Sequence, residues 1–154
     1  MKKLMIAVLS CLPMMAFCQD LWQGTKQGMS VAEVQALHAD AVTPQKIDTY
    51  GADSKALLVI PNYKISGTNY KVVFIFKDEK LKTINLTATE GVASVNYDTM
   101  ATLLKKKYGS PISTESNSLS TSLFWLNEGT SIRLINMMGK VIIQYTVDAE
   151  ADKL

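Results

Sequence analysis

The chain has 154 residues, of which 47% are hydrophobic and 19% charged, and its formal net charge is +2. A nearly neutral chain has no long-range electrostatic attraction to nucleic acid or to an anionic membrane, so its charge argues against a nucleic-acid-binding protein. Its length suits one domain, which can bury roughly two-thirds of its unfolded surface without disulfides.

The N-terminal segment has the pattern of a secretory signal peptide. Met1-Lys2-Lys3 precedes an apolar run that ends at Phe17, and small residues, Ala16 and Cys18, precede the expected cleavage point. The run is shorter than the ~20 residues that a membrane-spanning helix needs. We therefore predict a signal peptide over 1–18, one mature domain over 19–154, and a periplasmic or secreted location.

Two other interpretations of this segment are a buried N-terminal helix and lipidation at Cys11. Lipidation would leave the apolar residues after Cys11 exposed on the mature protein. Cleavage after Cys18 would remove both cysteines, so the mature domain would have no disulfide and no thiol nucleophile. It would also remove Lys2 and Lys3 and leave equal numbers of basic and acidic groups. An exported domain without disulfides favours a bacterial periplasm.

The first predicted helix has a well-marked start. Ser30 and Glu33 have the spacing of a capping box, and Met29 can pack on Val34 as a hydrophobic staple. An apolar stripe at helical spacing follows, and the predicted helix ends before Pro44. The stripe consists of Val31, Val34, Leu37 and Ala41.

A β-hairpin is predicted in the middle of the chain. Residues 71–77 are rich in Val, Ile and Phe, Asp78-Glu79 is a charged tip, and residues 81–86 alternate between apolar and polar side chains. A short strand is predicted at 56–60, before Pro61, and a loop at 63–69.

The second half repeats this layout. A helix is predicted from Ser94 to Tyr108, with Gly109 suited to its C-terminal cap. A Ser/Thr-rich loop at 113–122 and a second meander from Leu123 to 147 follow. Leu37 lies seven residues before Pro44, as Leu104 does before Pro111, which indicates repeat units over about 28–89 and 94–147. The predicted fold class is α+β, with two tandem helix-plus-three-strand units forming a layered domain of helices on an antiparallel sheet.

The segment Gly28-Met29-Ser30-x-x-Glu33-Val34, before an antiparallel meander, resembles the small outer-membrane assembly lipoproteins, the SmpA/OmlA family. Two such units in tandem resemble the β-lactamase-inhibitor-protein-like fold. The chain differs from the lipoproteins in lacking a convincing lipobox, and it differs from the inhibitor in lacking the cysteines that such proteins carry. The resemblance implies a periplasmic binding role, as an enzyme inhibitor or an envelope-assembly accessory, without naming a partner.

The residues give little support to catalysis. His38 is the single histidine, and no Cys, His or carboxylate at ligand spacing accompanies it. Asp78-Glu79 lies at a predicted hairpin tip, which indicates a solvated turn; an acid–base pair would need at least one desolvated carboxyl group. Phosphate-binding loops and the common hydrolase motifs are missing from the sequence. We therefore predict a protein that is not an enzyme and has no cofactor or metal.

One face of the predicted sheet combines cations, amides, hydroxyls and β-branched residues, as polar-rimmed protein contacts do. With Tyr63 as an aromatic anchor, it gives a predicted site for another protein of the periplasm or envelope. An ordinary solvated sheet face is the alternative. The predicted contact residues are Lys71, Val73, Ile75, Lys77, Tyr63, Thr83, Asn85 and Arg133.

An alternative function is carriage of a small apolar ligand between helices and sheet. This would require a cavity in place of a packed core. The side chains expected to line it are Phe74, Phe76, Leu104 and Trp125. Neither function calls for nucleic acid or for a membrane span.

Overall fold

A computed structural model describes residues 20–147, and 53% of it is strand. Eight antiparallel strands form one sheet, which curls into a half-barrel, and two more strands form a small separate hairpin. The predicted signal peptide, Cys11 and the residues after 147 lie outside the described residues.

The elements in chain order are β1 (Asp20–Trp22), β2 (Thr25–Lys26), α1 (Val31–Leu37), β3 (Thr49–Tyr50), β4 (Ser54–Ile65), β5 (Thr68–Lys77), β6 (Lys80–Ala88), α2 (Ala93–Tyr108), β7 (Ser113–Ser116), β8 (Ser120–Asn127), β9 (Thr130–Met137) and β10 (Lys140–Val147). The strand order in the large sheet is β3-β4-β5-β6-β10-β9-β8-β7.

The predicted central hairpin is present as β5 and β6. Lys77 pairs with Lys80, so Asp78 and Glu79 form a two-residue turn, and both have positive φ angles of 49° and 60°. Positive φ at both positions defines a type I′ turn, whose twist matches that of the strands it joins. Three other hairpins of the large sheet use the same turn, at Ser66-Gly67, Glu128-Gly129 and Met138-Gly139.

The two predicted loops are wrong, because both segments extend hairpins. Residues 63–65 continue β4 and pair with residues 68–70 of β5 around the Ser66-Gly67 turn. Pro61 is tolerated within β4 because the register shifts between Ile60 and Tyr63, which removes the need for a ladder hydrogen bond there. Residues 113–116 likewise form β7, which pairs with the first half of β8.

The predicted start of α1 and the predicted glycine cap of α2 are present, but the predicted end of α1 is not. The capping box is confirmed: Glu33 N donates to Ser30 Oγ, and Ser30 N donates to the Glu33 carboxylate at 2.7 Å. However, α1 ends at Leu37, well before Pro44, so Ala41 is buried outside the helix. At the end of α2, Gly109 has φ 82° and its N–H donates to Lys105 O at 2.9 Å.

One face of the sheet and both helices enclose the main core. Val34 of α1 and Leu104 of α2 join a buried cluster that includes Phe74 and Trp125 from opposite halves of the sheet. Trp125 Nε1 donates to Gly109 O at 2.8 Å, which ties β8 to the end of α2. The even-numbered residues of 72–76 all belong to this core, as the alternation predicted.

The predicted fold class is wrong. The structure is mostly strand, and its eight-stranded sheet is continuous because β6 of the first half pairs with β10 of the second over residues 83–87 and 142–146. The helices are short and unequal, with 7 residues in α1 and 16 in α2. Two tandem helix-plus-three-strand units are therefore not the organising plan, and the proposed repeat is not confirmed.

Candidate protein-contact surface

The face of the sheet opposite the helices carries a straight row of paired side chains. We call this side of the sheet the second face. Pairing across four strand boundaries aligns one residue each from β5, β6, β10, β9 and β8. The row consists of Val73, Asn85, Gln144, Arg133 and Phe124.

Hydrogen bonds fix the polar members of this row. Gln144 Nε2 donates to Asn85 Oδ1 at 3.2 Å, and two residues further along each strand the hydroxyls of the paired Thr83 and Thr146 lie 3.1 Å apart. These side chains are half-buried. Because their rotamers are already restrained, binding a partner would cost little additional side-chain entropy.

Arg133 is the most strongly held residue of the second face. Its Nη2 donates to Glu115 Oε2 at 3.2 Å and to Ser122 Oγ at 3.4 Å, and its guanidinium lies 4.8 Å from the centroid of the Phe124 ring. Arg133 Nε, by contrast, is buried without an acceptor in the described chain. Leu126, two residues after Phe124 and on the same side of β8, is 48% exposed. An arginine stacked on an aromatic ring beside an exposed leucine is typical of protein interfaces.

Val73 and Ile75 lie on the second face, as predicted, but they are 6% and 4% exposed. They form a separate small cluster with Ala56 and Val59 of β4. A register shift between Ala56 and Leu58 places these two β4 side chains beside β5 on the same face. The cluster therefore supports the row from one end and offers a partner little surface of its own.

The two predicted lysines frame this cluster. Lys71 is half-buried and pairs across the sheet with Thr87, while Lys77 Nζ lies 2.7 Å from Asp53 Oδ2. Their hydrogen bond lowers the pKa of the Asp53 carboxyl and raises the pKa of Lys77. Both partners are well exposed, so we expect this ion pair to contribute little to stability.

Tyr63 does not belong to this surface. Its ring packs edge-on against Trp22, with centroids 5.0 Å apart, and its hydroxyl accepts a hydrogen bond from Gln23 Nε2. Trp22 also stacks on His38, with centroids 5.4 Å apart. Tyr63 and His38 therefore form part of an aromatic group on the helix side of the sheet, together with Phe74.

Sequence reasoning missed Phe124 and Glu115 as members of the site. The signal for Phe124 was present, since it lies in a predicted strand with Leu123 and Trp125 as its alternating neighbours. Its position beside Arg133 depends on the β8–β9 register, which local patterns do not specify. Glu115 lies in the segment for which the sequence predicts a loop, whereas in the structure it belongs to β7.

The described residues give no sign of a metal centre or a membrane span. Among residues 20–147, no three His, Cys, Asp or Glu side chains lie close enough together to hold a metal ion. No helix in the same range combines the length and apolar character needed to cross a bilayer.

Residues 21–154 match the family model of the TP0088 domain. The chain belongs to the TP0088 domain family. No curated protein and no solved structure matches it. The likeness of this TP0088 domain to outer-membrane assembly lipoproteins and to inhibitor-like proteins stays a prediction.

Proposed function

We propose that this TP0088 domain is an exported protein-binding module that contacts another protein of the periplasm or cell envelope through its second face. The observation that carries the proposal is the position of Arg133, which is stacked on Phe124 and held by Glu115 on a sheet face that neither helix covers. Inhibition of an enzyme and assistance in envelope assembly both fit such a module.

The chemistry of the row supports a partner with acceptor groups. Arg133 Nε has no acceptor in the described chain, and an unsatisfied buried donor costs free energy that a new hydrogen bond would recover. A partner carboxylate or carbonyl that shifts the guanidinium would supply this bond. The exposed Leu126 offers an apolar contact on the same face.

Site-specific photocrosslinking tests the proposal. A photoreactive amino acid at Leu126, on the second face, should crosslink a discrete periplasmic protein when the full chain is expressed in its native host. The same group at Lys106, an exposed position near the end of α2, should not. Substitution Arg133→Ala should reduce the crosslink at 126. Equal crosslinking from both positions, or an Arg133→Ala variant with an unchanged crosslink, would contradict the proposed surface.

The buried cluster is a poor place for such substitutions. Val73→Asp or Ile75→Asp would place a carboxylate among apolar side chains, and the variant would lose stability whether or not a partner binds there. Arg133 is about one-third exposed, so its truncation leaves the core unchanged. Circular dichroism of the purified Arg133→Ala variant checks this assumption.

Export is tested separately. Residues 1–18 fused to a reporter that folds only outside the cytoplasm should give an active reporter, because the basic start and the apolar run are recognised together. Replacing two central leucines of the run with arginine should abolish activity. An active reporter after this replacement would argue against a signal peptide.

The ligand-carrier alternative receives no support from the core. Phe74, Phe76, Leu104 and Trp125, the residues expected to line a cavity, are all nearly fully buried in one continuous cluster.

A further inference from the structure

Residues 42–48 form an arch that leaves the sheet and returns to it. Val42 and Val59 exchange two backbone hydrogen bonds, both 2.8 Å long, and Ala56 N donates to Asp48 O at 2.9 Å. Between these attachments, residues 43–47 belong to no helix or strand. The arch is thus hydrogen-bonded to β4 at both ends, and its middle is not part of the sheet.

An open groove of about 490 Å³ lies between the arch and the second face. Its apolar lining comes from Val42 and Pro44 of the arch and from Val59 and Pro61 of β4. Val59 is also a member of the buried cluster with Val73. The floor of the groove is therefore rigid and apolar, and its volume is in the range of small-molecule sites.

The charged lining of the groove is predominantly positive. Lys46 from the arch and Lys71 from β5 both line it, and neither forms an ion pair with a described residue. The one carboxylate in the lining is that of Asp48, which also acts on Tyr50: burial and then the Asp48 charge raise the pKa of the Tyr50 hydroxyl. Two unpaired cations beside apolar walls favour a ligand that has an anionic head and an apolar body.

We propose that this groove binds a small amphipathic anion of the carboxylate class, with its apolar body against Val59 and Pro61 and its carboxylate at Lys71 and Lys46. Monomeric medium-chain carboxylates are the occupants that this chemistry fits best. The site is distinct from Arg133, which lies on the same face but three strands away from Lys71. The inference therefore does not depend on the proposed protein contact.

Titration with decanoate below its aggregation concentration tests the site, with methyl NMR of the full mature chain as the readout. Decanoate should shift the Val42 and Val59 methyl signals saturably. Decyltrimethylammonium, which has the same tail and the opposite charge, should bind about two- to fivefold more weakly, the range expected from one exposed charge contact. Absence of a saturable shift at these methyls, or equal affinity for the two probes, would overturn the proposal.

Charge variants locate the head group. Lys71→Glu and Lys46→Glu should each weaken decanoate binding by about two- to fivefold, and Lys71→Gln by less. Lys106→Glu, a matched change at the end of α2, should leave the affinity unchanged. If Lys106→Glu weakens binding as much as Lys71→Glu does, the effect is one of net charge and the groove is not the site. Crosslinking at Leu126 is a separate measurement, so either proposal can fail alone.

Discussion

The Asp78-Glu79 turn should be a point at which a single substitution stabilises the protein. Glu79 has φ 60°, a left-handed conformation that costs a residue with a Cβ about 1–2 kcal/mol. Glycine avoids this cost but loses about 0.4–1 kcal/mol through its freer unfolded chain. The Glu79→Gly substitution should therefore raise the free energy of unfolding by about 0.5–1 kcal/mol, and the melting temperature by about 2–5 °C.

The Met138-Gly139 turn provides the reciprocal experiment. Its φ angles, 50° and 78°, resemble those of Asp78-Glu79, but glycine already occupies its second position. A Cβ built on Gly139 meets nothing within 4 Å, so the Gly139→Ala substitution tests the backbone cost without a steric clash. It should lower the free energy of unfolding by about 0.5–1 kcal/mol.

Equilibrium urea unfolding followed by circular dichroism measures all three variants, including the double variant. The turns lie at opposite ends of the antiparallel β6–β10 pair, so their effects should add and the double variant should match the parent within about 0.5 kcal/mol. A Glu79→Gly variant that is less stable than the parent would refute the reasoning, because the left-handed conformation would then cost Glu79 nothing. A denaturant slope changed by either substitution would instead indicate an altered unfolded state.

Three further predictions concern the helix side. Ser30→Ala removes the capping box and should cost about 1 kcal/mol in urea unfolding, while Ser30→Thr should keep most of the stability. Burial lowers the pKa of His38, although the negative charge of Asp40 opposes this shift, so the unfolded chain binds the proton more readily than the folded chain does. The free energy of unfolding should therefore fall as the pH drops below about 6.5, and His38→Phe should remove that part of the acid dependence. Trp125→Phe removes the donor to Gly109 O and should cost about 2 kcal/mol, and a loss below about 0.5 kcal/mol would show that the bond contributes nothing.

Local signals in the sequence were sufficient for the central hairpin, for the start of α1 and for the end of α2. The β5–β6 hairpin follows from a β-branched run, a charged tip and an alternating run, all within residues 71–86. The capping box of Ser30 and Glu33 and the glycine cap at Gly109 are equally local. In each case, the residues that determine the structure are close neighbours in the chain.

Longer-range pairing accounts for the errors. The polar segments 63–69 and 113–122 lack the composition of strands, and they become strands because an already formed neighbour offers them a ladder of hydrogen bonds. The β6–β10 junction, which makes one sheet from the two halves, joins residues about 60 positions apart. A sequence pattern carries no information on that register, and hence the tandem-unit model failed.

On the second face, the sequence likewise predicts which way a side chain points but not which residues surround it. Alternation correctly placed Val73 and Ile75 opposite the main core, but it could not show that β4 brings Ala56 and Val59 beside them. Asn96 is the corresponding case on the helix side: it is 5% exposed in α2, where its side chain donates to Glu90 O and accepts from the Thr68 hydroxyl. The partners that make burial of a polar side chain favourable come from outside the helix.

The two proposed surfaces share one structural support. Val73 ends the cross-strand row that leads to Arg133, and through Val59 it also packs beneath the arch groove. Val73 packs against Val59 across the β4–β5 pair, and Val59 forms part of the groove floor. The first polar side chain of the row is Asn85, which pairs with Val73. A mild reduction in volume, Val73→Ala, should therefore weaken decanoate binding more than it weakens crosslinking at Leu126, because the groove contacts this cluster directly and the Arg133 region lies three strands away.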